Sequence, residues 1–146
     1  MKNVKTWRWL FVHAAIAYSS IGIAHDQGGT LNAGASATDV YQVSCFDDGG
    51  GKPYQLFFEI KSVIPASPPV SAQVINDDLA MSTTDRVGGD ENYSPELQVV
   101  KPGNNDTYTI VIDKSAAGKA SYSLEYHCQD SHGNHTGTDI LPLQNQ

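Results

Sequence analysis

Histidines offer the clearest opportunity for chemistry in this sequence. Three of the five lie close together near the C-terminus, in the segment His-Cys-Gln-Asp-Ser-His-Gly-Asn-His. A fourth would become the first residue if the segment before it were removed, and its α-amino and imidazole nitrogens could then bind one metal ion. Such nitrogen ligands suit Cu(II), Zn(II) or Ni(II). The pattern predicts a metal site, with copper favoured over zinc, formed by His25, His127, His132 and His135. The alternative is that these are ordinary exposed loop histidines.

Acidic residues near glycines provide a second and weaker candidate for a cation site. The residues are Asp47 and Asp48, which precede three glycines, and Asp85, Asp90 and Glu91. Carboxylates in glycine-rich loops suit Ca²⁺. Neither segment has the regular ligand alternation of an EF-hand loop, and turn formation explains Asp and Gly in both places. Calcium is therefore less favoured than copper.

Catalytic motifs are absent from the sequence. There is no Gly-x-Ser-x-Gly elbow and no glycine loop of the kind that holds phosphate groups. Acidic residues are plentiful, so sequence alone does not single out one pair as a general acid and base. We therefore expect a protein that is not an enzyme.

The first 24 residues have the pattern of a secretory signal peptide. The first eight carry three basic side chains, the next fifteen carry no charge, and Gly22 and Ala24 have the small side chains that signal peptidase prefers. The uncharged run is shorter than the roughly 20 residues that span a bilayer. We predict cleavage of residues 1–24 and a periplasmic or secreted protein that begins at His25 and is not inserted in a membrane. An uncleaved anchor is the alternative.

Removal of the signal peptide makes the protein strongly acidic. Three of the nine Lys and Arg residues are lost and all 16 acidic residues remain, which gives a formal charge of −10. This balance argues against nucleic acid, whose phosphates must be neutralised by basic residues, and against contact with anionic lipids. It is compatible with solubility, cation binding or a basic partner.

The two cysteines are predicted to form a disulfide. Cys45 and Cys128 both lie after the signal peptide, and export places them in an oxidising compartment. The bond would close a loop of roughly 80 residues and contribute on the order of 4 kcal/mol in the chain-entropy model.

Alternating apolar residues separated by turn residues predict an all-β domain over residues 38–128. The glycine-rich residues 25–37 are predicted to be a flexible arm, and residues 129–146 a histidine-containing loop and tail. No segment has a helical period. About seven strands are predicted, at 39–45, 55–64, 70–75, 79–84, 96–100, 107–113 and 120–128. This spacing indicates an antiparallel β-sandwich or a small barrel.

The order of these segments resembles a known bacterial domain family. Asp39-Val-Tyr-Gln-Val opens the domain, Gly103 precedes Thr107-Tyr-Thr-Ile-Val-Ile, and Ser121-Tyr-Ser-Leu-Glu ends it. In this order residues 38–128 resemble the pre-peptidase C-terminal domain, a jelly-roll-like β-sandwich often attached to secreted proteases. The resemblance implies an accessory role in substrate binding, secretion or stability, and some such domains bind calcium. The cysteine pair, the histidine-rich end and the lack of an attached catalytic domain depart from that family.

Together these features predict an exported, non-catalytic β-sandwich that acts as a binding or accessory module. Its partner would be a protein or a polysaccharide. The alternative function is a periplasmic or secreted metal-binding protein that uses the four histidines named above.

Overall fold

The computed structural model describes residues 25–102 and 105–146, and the predicted signal peptide lies outside these residues. The described chain forms two antiparallel sheets that contain nine strands and no helix, which confirms the predicted β-sandwich. The strands are β1 His25–Leu31, β2 Asp39–Phe46, β3 Gln55–Ser62, β4 Val70–Asn76, β5 Leu79–Asp85, β6 Leu97–Val100, β7 Asp106–Lys114, β8 Ala120–Gln129 and β9 Gly137–Gln144.

The strand order is that of a jelly roll with one added strand. One sheet has the order β1-β8-β3-β6, and the other has the order β5-β4-β7-β2-β9. The first eight strands thus form the two four-stranded sheets of a jelly roll, and β9 extends the second sheet beyond β2. This order places the first strand of the chain beside the eighth.

The predicted flexible arm is wrong for residues 25–31, because they form β1. His25 pairs with Tyr126 and Leu31 pairs with Ala120, along the full length of the strand. Gly29 is required here by packing, since a Cβ atom at this position would lie 2.2 Å from the hydroxyl oxygen of Tyr122. Gly29 therefore allows close contact with a large side chain.

The predicted tail is also wrong in part, because residues 137–144 form β9 along the edge of β2. The chain end is fixed beyond this strand as well. The backbone N–H of Gln146 donates a hydrogen bond of 2.7 Å to the Asp39 carboxylate. Asp39 is fully buried and also accepts a 2.5 Å hydrogen bond from the Tyr122 hydroxyl.

The core lies between the two sheets and is formed by alternate residues of each strand. In β8 these are Tyr122, Leu124, Tyr126 and Cys128, all of which are buried. The predicted disulfide is present between Cys45 of β2 and Cys128 of β8, with their Cα atoms 5.6 Å apart. It joins the two sheets at the end of β8, beside the histidine-rich segment.

Candidate functional site

His127 lies on the outer face of the four-stranded sheet, near the end of β8. It is 7% exposed, and its ring is stacked between those of Phe57 and His135, at centroid distances of 4.3 Å to each. Phe57 is its direct partner on β3. His135 reaches the other side of the ring because it forms a bridge with Gln129. The structure therefore brings two of the predicted metal ligands together.

The turn between β8 and β9 separates His132 from this pair. The Asp130 carboxylate accepts hydrogen bonds from the backbone N–H groups of His132 (2.8 Å) and Asn134 (2.9 Å), and these bonds hold the turn. The same bonds, together with that from the Asn134 amide, lower the pKa of Asp130. The side chain of His132 is 81% exposed. It is not placed with His127 and His135.

His25 begins β1 at the same end of the sheet, but its pairing with Tyr126 puts its side chain on the inner face, on the opposite side of the sheet from His127. Its ring centroid lies 5.8 Å from that of Tyr126, the residue that precedes His127. Burial, together with the neighbouring His135 and His25, lowers the pKa of His127 to about 4. His127 is therefore neutral at physiological pH, and both His135 and His25 lie within electrostatic range of it.

These side chains do not form a ready metal cage. Across residues 25–102 and 105–146, no three His, Cys, Asp or Glu side chains are grouped so as to hold a metal ion. The rings of His127 and His135 lie face to face, with only 20° between their planes, so their nitrogens do not converge on one point. Both cysteines are in the disulfide and supply no thiolate.

The predicted calcium ligands act as turn caps. Asp47 and Asp48 accept hydrogen bonds from the backbone N–H groups of the glycines that follow them. Asp90 caps a turn through the N–H of Asn92, at 3.1 Å. Glu91 pairs with Lys61, at 3.6 Å. Local turn structure and an ion pair thus account for these carboxylates.

A row of acidic residues that sequence reasoning missed crosses the outer face of the same sheet. Glu125 of β8 lies directly opposite Glu59 of β3 on one side and Asp26 of β1 on the other. Burial raises the pKa of Glu59, and the neighbouring carboxyls of Glu125, which contacts it, and Glu96 act in the same direction. Together they raise this pKa to about 7. We refer to Asp26, Glu125, Glu59 and Glu96 as the acidic row. The row depends on how the strands pair, and the sequence of each strand alone does not show which residues of its neighbours lie opposite.

A polar cleft of about 570 Å³ opens at the opposite edge of the sandwich, between β5 and the segment before β6. Its polar groups are largely bonded within the protein. Asp85 accepts hydrogen bonds from the backbone N–H groups of Ser62 (2.6 Å) and Val87 (3.0 Å). Thr83 donates a hydrogen bond to the carbonyl of Pro95, at 2.7 Å. These groups have structural partners, so the cleft is a weaker candidate than the sheet face.

Comparison with known proteins adds a structural likeness only. No family model matches the chain, and no curated protein matches it. The fold is similar to the crystal structure of the Yersinia pseudotuberculosis-derived mitogen (YPM), with a TM-score of 0.48 and 11% sequence identity. The likeness covers 85% of this chain and 98% of that chain. Within the described residues, no helix is both long enough and apolar enough to span a membrane.

Proposed function

We propose that this protein is an exported, non-catalytic binding module. The sequence pattern of residues 1–24 supports export, and the disulfide is the kind of bond that persists in an oxidising compartment. The nine strands of the described residues all lie after the predicted cleavage site. Cleavage there would leave the described fold intact.

The acidic row is the observation that carries the binding function. Like charges directly opposite one another on neighbouring strands destabilise a sheet. Here Asp26, Glu125 and Glu59 occupy three adjacent strands at one level. Among the described residues of these strands, one basic side chain, Lys61, lies on this face, and it pairs with Glu91. Such an arrangement costs stability, and a positively charged ligand would offset that cost.

The partner is a basic segment of another protein. A flat sheet face with carboxylates on successive strands presents them about 5 Å apart, a spacing that the side chains of a lysine- or arginine-rich segment can match. The formal charge of −10 after cleavage would also attract such a partner over a longer distance. The alternative partner is a cationic polysaccharide, and the experiment below distinguishes the two.

Binding of a fluorescent octalysine peptide, followed by anisotropy at low ionic strength, tests this proposal. The double variant Glu59→Gln/Glu125→Gln should weaken binding by at least about tenfold, equal to about 1.4 kcal/mol. The control, Asp78→Asn/Asp113→Asn, removes the same charge from other surfaces and should retain most of the affinity. Equal losses in both variants would show that net charge alone attracts the peptide. Tighter binding of a chitosan oligosaccharide would favour the polysaccharide.

Metal binding by the histidines is a second candidate function. The observation that favours it is separate from the acidic row. Buried Nδ1 atoms of both His25 and His127 lack hydrogen-bond partners among the described residues. Unpaired ring nitrogens are the groups that bind transition metals.

A further inference from the structure

The outer face of the five-stranded sheet carries little charge. Residues directly opposite one another on antiparallel strands share a face, so the strand pairings define rows of side chains that cross the sheet. Two successive rows cross all five strands without a charged residue. The first row is Ala80, Ile75, Thr109, Gln42 and Leu141, and the second is Ser82, Gln73, Val111, Val40 and Gln144. We refer to these ten residues as the uncharged panel.

Apolar side chains of the uncharged panel are open to solvent. Leu141 is 55% exposed and Ile75 is 41% exposed. Two aspartates of this face flank the panel at its two ends, Asp113 opposite Ser71 and Asp139 opposite Ser44. A broad surface that combines apolar and uncharged polar side chains is typical of a protein interaction site.

The distribution of charge indicates that a second copy of this chain occupies the panel. Removal of residues 1–24 leaves a formal charge of −10, so two copies repel one another. The acidic row covers the outer face of the other sheet, and the uncharged panel is the broad face on which this repulsion is least. A strongly charged partner would find no opposite charge in the two rows, so electrostatic complementarity does not favour one.

The panel is also complementary to itself. β7 is the central strand in the order β5-β4-β7-β2-β9, so a two-fold axis that lies in the interface parallel to β7 places β9 of one copy over β5 of the other. Leu141 then faces Ala80 of the second copy, which sets a large side chain against a small one. Val111 faces its own equivalent at the axis. A two-fold interface of this kind is the commonest in homo-oligomers.

The area of the panel is sufficient for a weak dimer. Five strands span about 24 Å and two rows about 14 Å, and neighbouring hydroxyl side chains enlarge the contact to about 500 Å² per copy. The total of about 1,000 Å² is near the lower limit of specific interfaces. We propose that the protein forms a two-fold dimer through the uncharged panel, with a dissociation constant in the micromolar range. The dimer does not rest on the acidic row, and it leaves both acidic rows facing outward.

Sedimentation velocity of the protein purified after export, over concentrations of about 1–500 μM, tests the dimer. Wild type is compared with Leu141→Lys, the double variant Leu141→Lys/Ala80→Glu and the control Val63→Lys. Leu141 and Ala80 lie on opposite edge strands, about 19 Å apart, so the two introduced charges can meet only between copies. Val63 is 47% exposed and follows β3 in the other sheet, so the control adds the same charge away from the panel. Circular dichroism verifies that each variant is folded.

We expect a concentration-dependent dimer that Leu141→Lys weakens by at least about tenfold and Val63→Lys changes by less than about threefold. The double variant should regain most of the wild-type affinity, because each new lysine meets a glutamate of the second copy. Raising NaCl from about 50 mM to about 300 mM should strengthen the wild-type dimer, since salt screens the repulsion between two acidic copies.

A protein that stays monomeric at every concentration would overturn the proposal, and retention of this monomer on cellulose or chitin would assign the panel to a polysaccharide instead. Equal weakening by Leu141→Lys and Val63→Lys would place the dimer contact elsewhere on the surface. A double variant that regains no affinity would refute the two-fold pairing of Leu141 with Ala80.

Discussion

Replacing Glu59 by glutamine should stabilise the protein at alkaline pH. The carboxyl of Glu59 is half-buried and faces Glu125 and, farther away, Glu96, and together these raise its pKa from 4.5 to about 7. Lys61, two residues along the same strand, pairs with Glu91. Because the pKa is higher in the folded than in the unfolded chain, the folded state binds the proton more tightly. This contribution to stability is fully present below pH 4.5 and is lost as the pH rises through 7.

The size of the effect follows from the pKa difference. The rise from 4.5 to about 7 is about 2.5, and at about 1.36 kcal/mol per pH unit this corresponds to about 3.4 kcal/mol. Much of the carboxyl remains in contact with solvent, which screens the repulsion, so we reduce this value by half. Glu59→Gln should therefore raise the free energy of unfolding by about 1.7 kcal/mol at pH 8. At pH 4 the wild-type carboxyl is already protonated in the folded state, so the variant should gain little.

Urea unfolding at pH 4 and pH 8 measures both values. Glu91→Gln is the matched control, because its side chain is 86% exposed. It should change the free energy of unfolding by less than about 0.5 kcal/mol at either pH. The inferred cost of the acidic row would be refuted if Glu59→Gln were no more stable than the wild type at pH 8. It would also be refuted if the variant gained as much free energy of unfolding at pH 4 as at pH 8.

Three further substitutions test the fold. Gly29→Ala should lower stability by about 2–3 kcal/mol in thermal unfolding, because the added methyl group meets the hydroxyl of Tyr122 at 2.2 Å. At Gly28 the nearest atom is 3.8 Å away, so Gly28→Ala should have a smaller effect. Replacing Cys45 and Cys128 by alanine opens a loop with a sequence separation of 83 and should cost about 4.5 kcal/mol in urea unfolding; a loss below about 1 kcal/mol would contradict this estimate. Asp39→Ala removes the acceptor of two buried hydrogen bonds and should cost about 3 kcal/mol, measured in the same way; Asp39→Asn, which keeps an acceptor oxygen, should cost less.

The predicted sandwich could be read from the sequence because its central strands are regular. Residues 107–113 and 120–128 alternate apolar and polar side chains, and the structure buries the apolar ones between the sheets. The disulfide could also be predicted, since two cysteines in an exported chain leave one intramolecular pairing. Both inferences depend on local pattern or composition, which a single sequence contains.

The two terminal strands could not be predicted in the same way. In β1 one residue, Leu31, is buried, and Gly29 is required by the side chain of Tyr122, which is distant in sequence. In β9 the apolar Leu141 and Leu143 are about half exposed, so their pattern does not mark an inward face. These strands are held by backbone pairing with β8 and β2, and such pairing leaves little trace in local hydrophobicity.

The jelly-roll topology decides where His25 lies relative to the C-terminal histidines. A flexible arm could bring His25 close to the C-terminal loop in many arrangements, and ordering it would carry an entropic cost. In the structure β1 is paired with β8, so His25 has one position, beside the residue that precedes His127. The disulfide fixes the adjacent residue, Cys128, to the other sheet. Folding has thus already ordered both histidines, and it leaves their side chains on opposite faces of the sheet. The same rigidity separates His132 from His127, because the Asp130 turn directs His132 into solvent.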